Sequence, residues 1–322
     1  DLAEKRDRRP YADDEILAIL TREVKTRRES IEAFRKGGRE DLAAKEEAEI
    51  AILQAYLPAA LDEAAIRALV AERHGVEIGE AAAERLKIEI IGGDVTNSGT
   101  LVANARGASG DGGRVSIAGD TITLTSTSKI AANAKTAGNG GVIHILSNKL
   151  TTVAGRLMAM GGSQSGQGRQ IETSSHQQLI IDPSVKVSTS APAGKTGTWL
   201  LDPYDLTIDS LSAAVISAAL QASNVVVQVV GNVCSGGTCT QNGSGNLTIA
   251  SGVTINKTGA TPTSLTFLAD GTFYNYGSIS QAAGSVLEVS IQAQNVNLAQ
   301  GSSIEVNKVT VQAVNQVIGW GA

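Results

Sequence analysis

The chain has 322 residues, 27 Lys+Arg against 32 Asp+Glu and a formal net charge of −5, enough length for two domains and a sizeable core. Neither half is strongly basic, so net charge carries no nucleic-acid footprint, and no apolar run approaches the roughly 18 residues of a membrane span. Charge and glycine are unevenly shared: residues 1–90 hold 21 Asp+Glu and 16 Lys+Arg but only 4 of the 35 glycines. The remainder carries 11 charges of each sign, which predicts a domain boundary near residue 90. The opening Asp1-Leu2-Ala3-Glu4-Lys5-Arg6 has neither the apolar core of a signal peptide nor an initiating Met, and reads as a fragment or a processed chain.

From Asp13 to Leu57 the apolar positions keep helical spacing, through Ile16, Leu17, Leu20, Val24, Ile31, Phe34, Ile50, Leu53 and Leu57. Asp13-Asp14-Glu15 suits the positive end of a helix dipole, and Gly37-Gly38 breaks the pattern. Asp41 is the expected cap of a second helix over 42–56, which Pro58 ends; Asp62-Glu63 opens a third through 71. The basic run from Arg22 to Arg39 is interspersed with Glu23, Glu29 and Glu32, and reads as a solvated helix face.

Glu4-Lys5-Arg6, Asp14-Glu15-Ile16-Leu17, Arg27-Arg28-Glu29-Ser30-Ile31 and Gly38-Arg39-Glu40-Asp41-Leu42 form an ordered string. With Lys45-Glu46-Glu47-Ala48-Glu49-Ile50-Ala51-Ile52-Leu53 and Tyr56-Leu57-Pro58, it resembles the GatB/YqeY family over about residues 1–72. The resemblance implies a cytoplasmic helical protein related to the tail of tRNA-dependent amidotransferases, hence association with carbon–nitrogen ligases that use glutamine as amido donor. The chain departs from the family in lacking its N-terminal helix and most of its small C-terminal domain.

Residues 81–93 read as a seam: 81–85 favours helix, whereas Leu86-Lys87-Ile88-Glu89-Ile90-Ile91 alternates like a strand and stops at Gly92-Gly93. Beyond it a repeat appears. Gly110, Gly138, Gly166 and Gly194 are 28 residues apart, and Gly112, Gly140 and Gly168 keep the same interval. Short Val/Ile/Leu pieces lie between them, at 99–103, 114–117, 121–125, 141–146, 150–153, 178–181 and 185–188. Such a period predicts the stacked coils of a right-handed parallel β-helix over 94–322. Roughly eight coils, about 4.8 Å apart, would make a rod on the order of 40 Å long.

Ile171-Glu172-Thr173-Ser174, Asp182-Pro183, Val187-Ser188-Thr189-Ser190-Ala191-Pro192 and above all Gly194-Lys195-Thr196-Gly197-Thr198-Trp199-Leu200-Leu201-Asp202-Pro203 carry a second resemblance. Residues 92–322 resemble the two-partner-secretion exoproteins, the filamentous-haemagglutinin-like adhesins. This implies a solenoid secreted to, or held at, the surface of a Gram-negative bacterium. Its partners would be surface glycans or proteins, with an outer-membrane transporter during secretion.

After residue 209, 211–220 fits a short helix or a wide turn, and the strand pieces from 225 to 311 follow with a shorter, less regular step. Cys234 and Cys239 flank Ser-Gly-Gly-Thr and read as a small-loop disulfide in an exported protein. His74, His144 and His176 are too scattered to suggest a metal site. Asp182, Asp202, Asp205 and Asp209 could be the acids of a β-helical polysaccharide enzyme, but Asp-Pro at 182 and 202 reads as turn chemistry. Asn242, Asn246 and Asn256 match the glycan-acceptor pattern.

The sequence thus predicts a mainly β fold, a parallel β-helix preceded by a small all-α segment, with divisions at 1–80, 81–93 and 94–322. Its expected role is structural and adhesive, without catalytic residues, cofactor or metal, and with tRNA disfavoured as a partner. Alternatives are an amidotransferase-related helper function of the N-terminal segment and a polysaccharide-active solenoid. Because the halves imply opposite compartments, the chain reads as a chimera.

Overall fold

The computed structural model describes residues 23–24, 26–27, 30–31, 34–54, 86–235, 238–241 and 243–319, with the backbone alone at Gln54 and between 232 and 241. The expected helix start at Asp13, Pro58, the third helix at 61–71, the 81–85 stretch, His74, Asn242 and Trp320 lie outside the described residues. Contacts divide the chain into two units, Asp1–Ala82 and Ala83–Ala322.

In the first unit the described residues between 23 and 36 are helical, and a second helix, α1, spans Glu40–Gln54. Gly38 adopts φ +68° at the turn, where its N–H donates to Arg35 O (3.1 Å) and that of Arg39 to Phe34 O (2.9 Å). This is the left-handed helix ending that glycine makes cheap. Val24, Ile31, Ala43 and Ile50 are buried together, with Phe34 and Leu53 beside them. Asp41 does not cap α1. The helix begins one residue earlier, and the Asp41 carboxylate instead takes both Nε (3.0 Å) and Nη2 (2.9 Å) of Arg39. Two arginines of the basic run are engaged within the unit: Arg27 meets Glu23, Glu46 and Glu49, and Arg35 meets Glu40 and Glu47.

The second unit is a parallel β-solenoid of about eight turns. Its longest sheet stacks Lys87–Ile91, Arg114–Leu124, Val142–Val153, Gln170–Ser175, Thr198–Asp202, Asn224–Val229, Thr263–Asn275, Leu287–Leu298 and Lys308–Ile318 in succession. The register gives the repeat its physical meaning. Val115 pairs with Ile143, Ile143 with Ile171 and Ile171 with Trp199, each step one 28-residue coil. Inward positions therefore stack like on like. One column runs Val115, Ile143, Ile171, Trp199, Val225, Leu265, Val289; its neighbour runs Ile117, Ile145, Thr173, Leu201, Val227, Phe267, Ile291. All fourteen are essentially inaccessible to solvent, and each large apolar one contributes about 1.5–3 kcal/mol by leaving water.

The strands at 114–117 and 121–125, like those at 141–146 and 150–153, are single elements, Arg114–Leu124 and Val142–Val153, bent where the register shifts between Gly119 and Thr121. A second sheet stacks Thr100–Val102, Lys129–Ala131, Arg156–Met158 and Lys186–Ser188, and a third stacks Thr254–Lys257, Ser278–Gln281 and Ser303–Glu305. Between them the coil is closed by a helix, α2 (Ser210–Ala219), which packs on both Lys186–Ser188 and Thr254–Lys257. Asp209 caps it: its carboxylate accepts from Ser212 N (2.8 Å) and Ser212 Oγ (2.7 Å). At the other end Leu220 O accepts from the Lys257 ammonium (2.9 Å) and the Thr263 hydroxyl (2.9 Å). Lys257 is fully buried there, and loss of hydration pushes its pKa down, while the negative end of the helix favours the cation.

The later coils are less regular rather than uniformly shorter. Val225 pairs with Leu265, a longer coil that accommodates a hairpin, whereas Leu265–Val289 and Val289–Val309 are shorter steps. That hairpin, Asn232–Ser235 with Thr238–Gln241, is antiparallel and was not legible as such in the sequence. Among the described residues no helix is long and apolar enough to cross a membrane.

Candidate functional site: an amide-lined groove on the solenoid

The corners of the regular coils are tied by side chains that reach the next backbone. Asp111 Oδ1 accepts from Asn139 N (2.7 Å), and Asn139 Oδ1 accepts from Gln167 N (2.9 Å). Asn104 and Asn133 do the same for Asn133 N (2.7 Å) and Met160 N (2.8 Å). Asparagine suits such corners because its short amide satisfies a backbone donor one coil away.

Outward positions of the long sheet form equally regular rows. Gln170 is level with Thr198, and Thr198 with Asn224; Glu172 is level with His144 and Leu200, and Ser174 with Asp202. Between the corner ladder and these rows lies an open groove of about 620 Å³. It is lined by Asn139, Gln167, Arg169, Gln170, Thr196, Thr198 and Gln228, with Leu200 and Val226 as apolar floor. Gly168 and Gly197 also line it, and a Cβ on Gly197 would meet Arg169 O, so glycine lets the adjacent coils approach there.

Beside the groove is a charged group of a different character. The His144 ring lies 3.1 Å from Arg114 Nη2 through Nδ1 and 4.0 Å from Glu172 through Nε2. Burial lowers its pKa first, Arg114 adds to that, and Glu172 opposes it. Asp202 is not a turn residue, contrary to the Asp-Pro reading; it ends strand Thr198–Asp202, because the turn begins only at Pro203. Burial pushes its carboxyl up to about 6, with the Glu172 and Asp270 charges adding to the shift.

A carboxyl whose folded pKa lies above its unfolded value near 3.9 holds its proton better in the native state. The stability tied to that proton is therefore fully present below about pH 4 and is lost as pH rises through 6. Asp202→Asn is expected to stabilise the protein by about 1 kcal/mol at pH 7.5, after discounting for partial solvent screening, and by nothing measurable at pH 4. Urea unfolding at the two pH values checks this; equal effects at both would refute the assignment.

The other aspartates are structural. Asp182 Oδ1 accepts from Ser184 N (2.8 Å) in its turn, and Asp205 accepts from Ser244 N (3.0 Å), Ser244 Oγ (2.7 Å) and Asn246 N (2.9 Å), tying the coil after the hairpin to the one before. Asn246 Oδ1 accepts from Thr272 N (2.8 Å), and Asn256 Oδ1 from the Ser280 hydroxyl (3.1 Å), so both carboxamides belong to inter-coil ladders. The backbone register sets Cys234 directly opposite Cys239 across the hairpin. His176 stacks on Tyr204, ring centroids 6.5 Å apart, far along the chain from His144. Among the described residues no cluster of His, Cys, Asp and Glu is arranged to hold a metal ion.

The sequence reading did not single out Asn139, Gln167, Arg169, Gln170, Thr198 or Gln228. The signal was present in the period that located the glycines: Asn139 and Gln167 are one repeat apart, as are Gln170 and Thr198.

Comparison with known proteins finds a family at the N-terminal end of the chain, reaching a few residues past the contact boundary at Ala82. The family described as Yqey-like protein matches residues 2–88. An uncharacterised protein of the fission yeast Schizosaccharomyces pombe is 41% identical over 56 residues, 17% of this chain and 46% of the relative, so the chain spans about half the length of the curated relative it matches. No solved structure matches the chain. The family match runs beyond residue 72 to 88, and its last two residues, Lys87 and Ile88, already pair with Arg114 and Val115 in the first solenoid strand. The chain carries a YqeY-like segment followed, with two residues of overlap, by a β-solenoid.

Proposed function

We propose that the solenoid is a structural and adhesive segment of a secreted bacterial surface exoprotein, working by binding rather than catalysis. The observation that carries this reading is the continuous stacking of parallel strands from Lys87 to Ile318, which fixes rows of Ser, Thr, Asn and Gln side chains on one face. Rigid rows need no ordering of their own when they bind an extended ligand. The partners proposed are surface glycans or proteins, and the compartment is the exterior of a Gram-negative cell, reached through an outer-membrane transporter. A Cys234–Cys239 bridge, supported by their backbone pairing, accords with an oxidising exterior. Saturable binding of the full chain to immobilised surface glycans or surface proteins is the expected result. Absence of binding across both panels would refute the adhesive reading.

A second reading, favoured by the match at residues 2–88, is an amidotransferase-related helper role for the N-terminal segment. It requires a tRNA-dependent mobility shift by the full chain. The pairing of Arg27, Arg35 and Arg39 with carboxylates of their own unit weighs against it. The two segments suit opposite compartments, and we propose that the chain is a join of two unrelated proteins. One uninterrupted reading frame across residues 72–100 in genomic DNA would refute the join.

A further inference from the structure

We propose that the groove between the Asn139–Gln167 corner ladder and the Gln170–Thr198 row binds an acidic polysaccharide, a chain of sugars bearing carboxylates, with Arg169 as its anion contact. The inference rests on the adhesive reading and names the ligand class and the site.

The unused hydrogen-bonding capacity of the lining comes first. The side chains of Gln167, Arg169, Gln170, Thr196 and Thr198 make no hydrogen bond or ion pair with any described residue. Some exposed polar groups elsewhere on the regular coils are engaged, Arg114 with Ser116 and His144, Lys149 and Asn148 with Asp120, Asn97 with Ser128. The groove thus sets five uncommitted polar side chains side by side over two adjacent coils.

The kind of group that fits follows from their chemistry. Carboxamides and hydroxyls side by side offer a donor and an acceptor within one side chain's reach, which suits the adjacent hydroxyls of a sugar ring. Leu200 and Val226 supply a small apolar floor for its C–H face. Arg169 is the one charged side chain in the lining, and a guanidinium favours a carboxylate held by two parallel hydrogen bonds. The groove crosses the coils of Asn139, Gln167, Thr198 and Val226, three steps of about 4.8 Å, and so extends along the rod for roughly 14 Å. A pyranose chain has a repeat comparable with the coil spacing, so successive sugars can meet equivalent groups on successive coils.

Titration calorimetry of the full chain with a polyuronate oligosaccharide, and with a neutral glucan of equal length, tests the proposal. The polyuronate is expected to bind and the glucan to bind at least tenfold more weakly. Arg169→Ala should weaken polyuronate binding tenfold or more, Arg169→Lys less, and Arg156→Ala, on a different sheet, not at all. Arg169 is exposed, so circular dichroism should show an unchanged fold. Equal binding of both sugars, or undiminished polyuronate binding by Arg169→Ala, would overturn the proposal while leaving the adhesive reading standing. Binding only to a protein surface would do the same. Failure to bind any surface would sink both.

Discussion

Gly138→Val is expected to cost about 3 kcal/mol or more and to leave little soluble protein. Gly138 has φ +129°, a conformation that side chains with a Cβ rarely adopt, and a Cβ there would run into Gly110 O. The carbonyl is backbone and cannot swing aside. Its own coil is fixed on both sides, because Ala137 bridges to Ser109 and to Ser165. Gly110 in turn donates to Ala137 O (2.8 Å), so relief at one coil strains the next. Gly252→Ala is the control: φ there is +74°, with nothing within 4 Å of the added carbon, and only about 1 kcal/mol of backbone strain is expected. Urea midpoints of the two variants check the contrast. Equal, small losses would mean that the corners yield and that glycine is not required for stacking.

Trp199→Ala should cost about 3–5 kcal/mol, a large fraction of what a domain has to lose. The indole is fully buried between Ile171 and Val225, and its Nε1 donates to Thr173 Oγ1 at 3.0 Å. Thr173 is the one polar member of its column, and Trp199 is the one aromatic member of the adjacent column, so each accounts for the other. Truncation leaves both a cavity and a buried hydroxyl short of a partner. Trp199→Phe keeps most of the volume and should cost about 1–2 kcal/mol, part of which Thr173→Val should restore by removing a hydroxyl left with only its 3.4 Å bond to Leu200 O. Far-UV circular dichroism during urea unfolding reports all three. A loss below about 1 kcal/mol for Trp199→Ala would show that the neighbouring columns collapse to fill the space.

The solenoid was legible because its repeat is enforced by contact between equivalent residues. Gly138, Gly166 and Gly194 keep their interval because each sits on the carbonyl of the glycine one repeat before. Where a different element closes the coil, as α2 does, or where the hairpin at 232–241 is inserted, the period breaks, and local pattern had to serve alone. At 211–220 the alanines left a short helix and a wide turn equally open, because the Asp209 cap shows only once the helix is built; the hairpin was not legible, since Ser-Gly-Gly-Thr between two short runs fits a loop equally well. Asp202 misled for a related reason. Asp-Pro signals a turn locally, but pairing with Ser174 extends the strand through the aspartate and sets it near Glu172 and Asp270 from other coils. The groove escaped notice because free amides have no sequence signature until the register shows which of them are neighbours.

The stacking has an evolutionary corollary. Arg114, Val142, Gln170 and Thr198 occupy one position in the coil, so excising residues 142–169 would splice Gly141 to Gln170 without disturbing the register of any remaining strand. Loss or duplication of a whole turn is then close to neutral for folding, whereas a change of any other size within these regular coils must be absorbed locally, as the hairpin is in a later coil. A gene for such a solenoid can lengthen or shorten by unequal recombination in units of one turn, each intermediate a folded rod, with the number of ligand-facing rows rising and falling with it.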